Sequence, residues 1–163
     1  MIPDRERLTP ADAVKTIAVA IACAVFLSFI FRIGHVSGNS MSPTLHDGDV
    51  VFSSTTFGTG LRRGDIVIFQ TPDSGALIKR VIGIPGDTIS IKGGVVILNG
   101  NELSEDYTAP GLYSSGDVDY PLCIPSGCYF VLGDNRPESR DSRMQCVGLV
   151  SDDDVLGVVR FVL

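Results

Sequence analysis

Short apolar runs separated by glycine-containing turns make up most of the chain after Val36. The runs are rich in valine, isoleucine and phenylalanine, which favour pleated, half-buried strands. Gly93-Gly94 and Asn99-Gly100 are typical of hairpin turns. No convincing helix is predicted after Gly64, so an all-β, multi-stranded, barrel-like domain is expected over residues 34–163. The predicted strands cover residues 50–52, 65–69, 76–84, 88–91, 95–98, 129–132 and 155–162.

The N-terminal part has a different pattern, a single long apolar run behind a charged tail. Residues 16–31 contain no charged residue, and a basic residue flanks them on either side. At about 1.5 Å per residue the run covers about 24 Å, slightly less than a bilayer core of about 30 Å. Thr9-Pro10-Ala11-Asp12 is typical of a helix start. We therefore expect a cytoplasmic tail over residues 1–15 and one transmembrane helix over residues 16–33.

Two other interpretations of the apolar run are a cleaved signal peptide and a buried core helix. No small-x-small cleavage pattern follows Phe31, and a core helix would leave the charged tail unexplained. Three basic residues precede the run, whereas only Arg32 follows it closely. The excess of basic residues on the N-terminal side predicts a single-pass protein of the cell membrane, with a cytoplasmic N-terminus and an extracytoplasmic domain.

Charge and cysteine content narrow the classes of function. The net charge of −6 and pI near 4.7 argue against nucleic acid as a partner, because its phosphates would be repelled. Cys123 and Cys128 bracket a turn short enough to close a disulfide loop in an oxidising compartment, and the sequence leaves their pairing open. Two histidines and four cysteines without ligand spacing predict no metal site, and no cofactor is implied. The sequence is silent on the oligomeric state, and a monomer is expected.

Two residues stand out as candidates for catalytic chemistry. Ser40 lies in the loop Ser37-Gly38-Asn39-Ser40-Met41-Ser42-Pro43-Thr44-Leu45, which alone is an ordinary turn sequence. Lys79 lies inside an apolar, strand-like run, where burial would lower its pKa and make it a general base. One alternative is a strand lysine whose amine reaches solvent. Another is a Ser-His-Asp arrangement with His35 or His46, although no motif supplies an orienting acid.

Four motifs then follow one another in a fixed order along the chain. They are Ser40-Met41-Ser42-Pro43-Thr44-Leu45, Arg63-Gly64-Asp65-Ile66-Val67, the stretch from Lys79 to Asp87, and Gly133-Asp134-Asn135-Arg136 with Ser139 and Asp141-Ser142-Arg143. Behind a single N-terminal anchor, they resemble the type I signal peptidases, which are membrane-anchored serine proteases with a Ser/Lys dyad. The resemblance extends over nearly the whole chain.

This resemblance implies roles for the residues around the dyad. Ser40 is expected to be the nucleophile, with its backbone N–H in the oxyanion hole, and Lys79 the general base. Some members carry a serine hydroxyl two residues before the nucleophile, where this chain has Gly38. In the family, an extended peptide adds to the strands beside the dyad, so Val36, Gly38 and Ile78 are predicted to bind substrate.

Further matches to the family imply supporting residues near the site. Ser139 is expected to orient the lysine amine. Asp141 and Arg143 are expected to form a structural ion pair, with Asp134 and Arg80 as further partners. Surface positions on a loop are expected for three other charged residues, Arg136, Glu138 and Arg140.

The predicted function is removal of N-terminal signal peptides from secreted preproteins by a membrane-bound serine endopeptidase. Cleavage is expected after small-x-small sequences such as Ala-x-Ala, with the lipid bilayer as a second partner. A substrate-specialised Ser/Lys peptidase of the pilin or conjugation type is one alternative, and an anchored β-domain that binds peptides without cutting them is another. A self-cleaving repressor is disfavoured by the anchor and by the absence of a DNA-binding helix pair.

Overall fold

The computed structural model describes residues 9–55, 60–73 and 75–163, in which one helix precedes two antiparallel sheets. The helix α1 comprises Pro10–Ile30. The strands are β1 Phe31–His35, β2 Val50–Ser54, β3 Ile66–Thr71, β4 Gly75–Gly83, β5 Thr88–Lys92, β6 Val95–Leu98, β7 Asn101–Glu102, β8 Leu122–Cys123, β9 Cys128–Leu132, β10 Val150–Ser151 and β11 Val155–Val162.

Helix α1 begins where its capping residues predict. The Thr9 hydroxyl donates to the Asp12 carboxylate at 2.6 Å and accepts the Asp12 backbone N–H at 3.3 Å, and Pro10 occupies the first turn. The helix ends at Ile30, because the next residues pair with β2 as strand β1. Among the described residues, no helix is both long and apolar enough to cross a membrane. The predicted transmembrane helix over residues 16–33 is therefore not supported, and residues 31–33 belong to the sheet.

The two sheets contain seven and four strands. The larger has the order β1-β2-β11-β3-β4-β9-β10 and the smaller the order β7-β6-β5-β8. The prediction of a mostly β domain is confirmed, and each predicted strand overlaps an observed one. The prediction of a barrel-like closure is wrong for the described part of the chain, because both sheets have two free edges. The pattern missed β1, β7, β8 and β10.

Hairpin turns fix the register of the smaller sheet. Gly93 and Gly94, with φ of 57° and 80°, join β5 to β6, so that Lys92 pairs with Val95. Asn99-Gly100 joins β6 to β7 in the same way, with φ of 51° and 84°. Positive φ at both central residues matches the right-handed twist of a two-residue hairpin, which confirms both predicted turns.

Three apolar clusters form the core. The first packs under β3, β9 and β11 around Phe69 and Val131, and the second lies beneath the smaller sheet around Ile89 and Phe130. The third consists of Val36, Met41, Leu45 and Val51. It lies directly beneath the loop that carries Ser40, so the fold positions this loop through buried apolar side chains.

Candidate active site

The loop after β1 holds Ser40 at a fixed place because the residues that follow it are buried. Met41 and Leu45 are 1% and 0% exposed and pack against Val36 and Val51. The Leu45 N–H donates to the Met41 carbonyl at 2.9 Å, which closes one turn of the loop. Two buried side chains four residues apart therefore position the backbone immediately after the serine.

Lys79 lies on β4, in the interior of the larger sheet, where it pairs with Val67 of β3. The residue is 2% exposed. Its Nζ donates to Ser40 Oγ at 2.8 Å and to its neighbour's backbone carbonyl, that of Ile78, at 2.7 Å. The structure thus brings together the two residues that stand out in the sequence. An amine at this distance is placed to accept the serine proton when it is neutral.

The surroundings of Lys79 lower its pKa. Burial, which disfavours the ammonium form, is the largest cause, while the nearby charges of Asp141 and Asp134 act in the opposite direction. The result is a pKa of about 8, lowered from 10.5. A substantial neutral fraction therefore exists at mildly alkaline pH.

Gly133 is packed between the nucleophile loop and Ser139. A Cβ atom added at Gly133 would lie 2.5 Å from the Ser40 carbonyl oxygen and 2.2 Å from Ser139 Oγ, so only glycine fits. Both peptide groups of Gly133 are held by charged side chains. Its N–H donates to Asp141 at 3.0 Å, and its carbonyl accepts from Arg136 Nε at 2.9 Å.

Asp134 connects the nucleophile loop to the lysine strand. Its side chain is 0% exposed and binds Arg80 in a bidentate manner, with distances of 2.8 and 2.6 Å. The hydroxyl of Thr44, four residues after Ser40, donates to the same carboxylate. Arg80 directly follows Lys79, so one buried carboxylate binds both segments that carry the dyad.

Asp141 and Arg143 form a second buried ion pair. Arg143 donates to Asp141 from Nε at 2.7 Å and from Nη2 at 2.9 Å. Ser139 lies in the same segment, 4% exposed, and the structure does not join it to Lys79. Its hydroxyl has no hydrogen-bond partner in the structure.

The prediction that Arg136 is a surface charge is wrong. Arg136 is 1% exposed and donates to both carboxylate oxygens of Glu105, at 2.8 and 2.6 Å. Tyr113 covers its guanidinium at 5.6 Å. No pattern in the sequence indicates this pair, because Glu105 lies in a polar loop far from the Gly133-Asp134-Asn135-Arg136 motif. Glu138 and Arg140 are exposed, as predicted.

Ser40 also lines a largely apolar cleft of about 200 Å³. Val36 and Ile78, two predicted substrate-binding residues, lie on its walls. Gly38 is not among the lining residues, and its N–H donates to Asp47 at 2.7 Å. The lining consists of Gly34, His35, Val36, Ser37, Ser40, Met41, Val51, Ile68, Ala76, Leu77 and Ile78.

The other candidate groups lie apart from the dyad. Neither His35 nor His46 bonds to Ser40, and His46 is 63% exposed beside Asp49. Cys123 and Cys128 are both free thiols. In the described ranges, no three His, Cys, Asp or Glu side chains group in a way that would hold a metal ion.

Comparison with known proteins identifies the family of the chain. The model of the family "Signal peptidase, peptidase S26" matches residues 11–163. Signal peptidase I of Bacillus licheniformis is 38% identical over 161 residues, which cover 91% of this chain and 86% of that protein. Signal peptidase I T of Bacillus subtilis (strain 168) is 38% identical over 160 residues, 91% of this chain and 82% of that protein.

A solved structure extends the similarity to the fold. The crystal structure of a signal peptidase I from Enterococcus faecalis V583 superposes with a TM-score of 0.51 and 35% identity. The alignment covers 63% of this chain and 98% of that chain. With the family model spanning almost the whole sequence, the chain belongs to the signal peptidase family, peptidase S26.

Proposed function

We propose that this chain is a serine endopeptidase that removes N-terminal signal peptides from secreted preproteins, with Ser40 as nucleophile and Lys79 as general base. The observation that carries the proposal is the 2.8 Å contact between Lys79 Nζ and Ser40 Oγ, made by a lysine that is 2% exposed. The family relationship supports the same activity.

The chemistry follows from this contact. Neutral Lys79 takes the hydroxyl proton as Ser40 Oγ attacks the scissile carbonyl carbon, and a tetrahedral oxyanion forms. The intermediate collapses, the C–N bond breaks, and the lysine ammonium gives its proton to the leaving amine. Lys79 then removes a proton from water, which hydrolyses the Ser40 ester and restores the free serine. A pKa of about 8 keeps enough neutral amine for this at mildly alkaline pH.

The oxyanion is stabilised by the backbone N–H of Ser40 in this proposal. That N–H donates to no acceptor among the described residues, which supports its availability. Gly38 has no hydroxyl to contribute, so a side-chain donor from this position is absent. A preorganised donor near the developing charge typically contributes about 10²–10³-fold in rate.

The supporting residues act through geometry. Asp141, paired with Arg143, fixes Gly133 beside the Ser40 carbonyl. The Ser139 hydroxyl is buried without a partner, so it is available to orient the lysine amine once Lys79 has lost its proton. We expect Ser139→Ala to reduce kcat while the free energy of unfolding stays nearly unchanged. Equal kcat for the variant and the wild type would contradict the orienting role.

The substrate is expected to bind as an added strand. Within the described ranges, β1 pairs only with β2, and residues 75–79 of β4 pair only with β3, so both have a free edge near the cleft. An extended peptide can form main-chain hydrogen bonds to such edges while its alternate side chains enter apolar pockets. Val36 and Ile78 narrow the cleft, which favours small residues such as alanine.

Membrane association is part of the proposal. Side chains of Ile33, Phe52 and Phe161 lie in one row across β1, β2 and β11. Ile33 and Phe161 are 67% and 69% exposed, and Phe31 and Leu163 nearby are 47% and 80% exposed. This apolar sheet face directly follows α1, whose valine and isoleucine side chains are also exposed. We propose that both contact lipid, with the peptidase domain on the extracytoplasmic side.

Binding to vesicles of zwitterionic phospholipid tests this lipid contact, because the chain has a net charge of −6. Phe161→Ser is expected to reduce the vesicle-bound fraction of the full chain, because it removes an exposed aromatic ring from the apolar sheet face. Leu112→Ser is the control, since Leu112 is 96% exposed but lies in a different region. Equal loss of binding in both variants, or in neither, would contradict the proposed contact face.

Cleavage of a preprotein ending its signal sequence in Ala-x-Ala tests the function. The wild type, Ser40→Ala and Lys79→Ala are compared in detergent, with Lys92→Ala as the control because Lys92 is an exposed lysine at the end of β5. We expect cleavage by the wild type and Lys92→Ala only. Cleavage of a pilin-type precursor alone would favour the specialised peptidase. Peptide binding without any cleavage would favour the non-catalytic β-domain.

A further inference from the structure

Residues 103–121, here called the crossing segment, link β7 to β8 without forming a strand. The glycines and serines within residues 103–122 predict only a longer surface loop. Instead, the Ala109 N–H donates to the Asp134 carbonyl at 2.9 Å, and the Asp117 N–H donates to the Arg143 carbonyl at 3.1 Å. The segment is therefore bound by its backbone to the residues that form the ion pairs near Lys79.

Glu105 is the charged residue through which this segment reaches the site. Its side chain is 8% exposed and binds Arg136, itself 1% exposed, through two hydrogen bonds. The same carboxylate accepts the Tyr107 hydroxyl at 2.7 Å. A buried, bidentate arginine–carboxylate pair has a well-defined geometry. Glu105 therefore fixes the orientation of both Arg136 and Tyr107.

Arg136 transmits this orientation to the nucleophile. Its Nε donates to the Gly133 carbonyl at 2.9 Å, and Gly133 packs against the Ser40 carbonyl. The same arginine receives support from Tyr113, which lies 5.6 Å from its guanidinium. Movement of Glu105 would therefore shift Gly133, which is in tight contact with the Ser40 carbonyl.

Tyr107 transmits the orientation set by Glu105 to the strand that carries Lys79. Its ring lies 4.2 Å from the Arg80 guanidinium, which binds Asp134 and directly follows Lys79 in β4. A guanidinium over an aromatic face gains electrostatic attraction and is held in one orientation. Tyr107 and Glu105 together therefore contact both arginines that hold the segments of the dyad.

We propose that Glu105 and Tyr107 are positioning residues for the Ser40–Lys79 dyad, acting through Arg136 and Arg80. The inference rests on the proposed function of that dyad. Neither residue touches the cleft, so their effect falls on the alignment of the reacting groups and not on substrate binding.

The charges near Lys79 determine the second expected effect. Asp134 and Asp141 raise its pKa, Arg80 and Arg143 pair with them, and the Arg136–Glu105 pair lies beyond. Without the Tyr107 ring, Arg80 holds Asp134 less tightly, and the carboxylate is neutralised less. The pKa of Lys79 then rises, and the acid limb of the rate profile moves to higher pH.

Steady-state cleavage by the full chain between pH 6 and 10 tests the proposal. For Tyr107→Leu and Glu105→Gln we expect kcat to fall about 10- to 100-fold, the scale of a small misalignment of reacting groups, with KM unchanged. In Tyr107→Leu the midpoint of the acid limb should also rise. Tyr107→Phe keeps the ring over Arg80 and should recover most of kcat and the original midpoint.

Tyr120→Leu provides the matched control within the crossing segment. Tyr120 packs against the second apolar cluster, and its hydroxyl donates to the Ser115 carbonyl at 3.0 Å. This variant should lower the melting temperature while kcat and the midpoint stay at wild-type values. It separates loss of stability from loss of alignment.

The possible results are distinct. A lower melting temperature for Tyr107→Leu with unchanged kcat and midpoint would overturn the positioning role. If Tyr107→Leu does not fold, unchanged kcat in Glu105→Gln would overturn it equally. Cleavage that persists in Ser40→Ala would instead overturn the proposed function, and the inference with it, whatever the crossing-segment variants do.

Discussion

The two sides of the Ser40–Lys79 pair are built in opposite ways. On one side lies an open cleft whose walls are mostly aliphatic, including Val36 and Ile78. On the other side lie buried charges, with Asp134 and Asp141 each bound to an arginine. The comparison separates two tasks. The apolar side can accept a peptide without disturbing any ion pair, while the charged side holds the dyad in position and opposes the effect of burial on the lysine pKa.

Removing either member of the dyad, at the boundary between the two sides, should have the largest effect. We expect Ser40→Ala and Lys79→Ala to lower kcat by about 10⁴-fold or more, the scale found when a nucleophile or base is removed. Far-ultraviolet circular dichroism should show that both variants fold. Activity in Lys79→Ala within a factor of ten of wild type would mean that another group is the base.

Removing an ion pair from the charged side should cause the largest loss of stability. Asp134→Asn leaves Arg80, whose side chain is 12% exposed, without its carboxylate, and we expect about 3–5 kcal/mol less free energy of unfolding. The pKa of Lys79 should also fall, because Asp134 raises it. Urea denaturation and the rate profile measure the two effects.

The Arg63–Asp87 pair serves as the control for that prediction. Arg63 is 39% exposed, and the buried Asp87 keeps its hydrogen bonds from the Ile84 N–H and from Asn99, so Arg63→Ala should cost about 1 kcal/mol. Equal costs of breaking the Arg80–Asp134 pair and the Arg63–Asp87 pair would contradict a special role for the charged side.

The next largest effect is expected when a methyl group is added at the contact between the charged side and the nucleophile loop. Gly133→Ala places a methyl group 2.5 Å from the Ser40 carbonyl and 2.2 Å from Ser139 Oγ, so we expect a loss of about 2–3 kcal/mol together with lower kcat. In Gly34→Ala the added carbon meets only Val51, at 3.5 Å. The free energy of unfolding of that variant should lie within about 1 kcal/mol of the wild-type value. A smaller loss in Gly133→Ala than in Gly34→Ala would show that the contact is not tight.

The buried lysine itself should reduce stability at neutral pH. Its folded pKa of about 8 lies below its ordinary value, so the unfolded chain binds more protons between these limits, and stability rises with pH through that window. Lys79→Met removes a buried charge, and at pH 7 we expect it to be more stable than wild type by about 3 kcal/mol. The advantage should shrink as pH approaches 10. Thermal unfolding at several pH values measures it, and a variant less stable than wild type at pH 7 would contradict the account.

Local patterns predict most of the strands, whereas the assignment of Ser40 and Lys79 as a dyad comes from the family resemblance. The apolar run around Lys79 indicated both a strand and a buried lysine, and those properties do not depend on distant residues. The ion pair between Asp141 and Arg143 is implied by the family resemblance and is present in the structure. β1 was missed because Phe31 and Ile33 continue the apolar run of α1, so that hydrophobicity alone gives no boundary.

The features that sequence could not predict depend on contacts between distant segments. Arg136 resembles a surface charge until Glu105, 31 residues earlier, is brought against it. The two-residue strands β7, β8 and β10 are too short to have a period and exist only through their partners. Barrel closure was expected from the number of strands, but the edges of both sheets stay free in the described ranges.

The pH dependence of cleavage by the wild type tests the central claim most directly. If neutral Lys79 is the base, kcat/KM for a preprotein should rise with pH and reach half its limit near pH 8, where the lysine loses its proton. Arg63→Ala, which removes an arginine that is 39% exposed, should give the same midpoint. A rate that is independent of pH between about 6 and 10, or a midpoint near the ordinary histidine value of about 6.5, would contradict a lysine base.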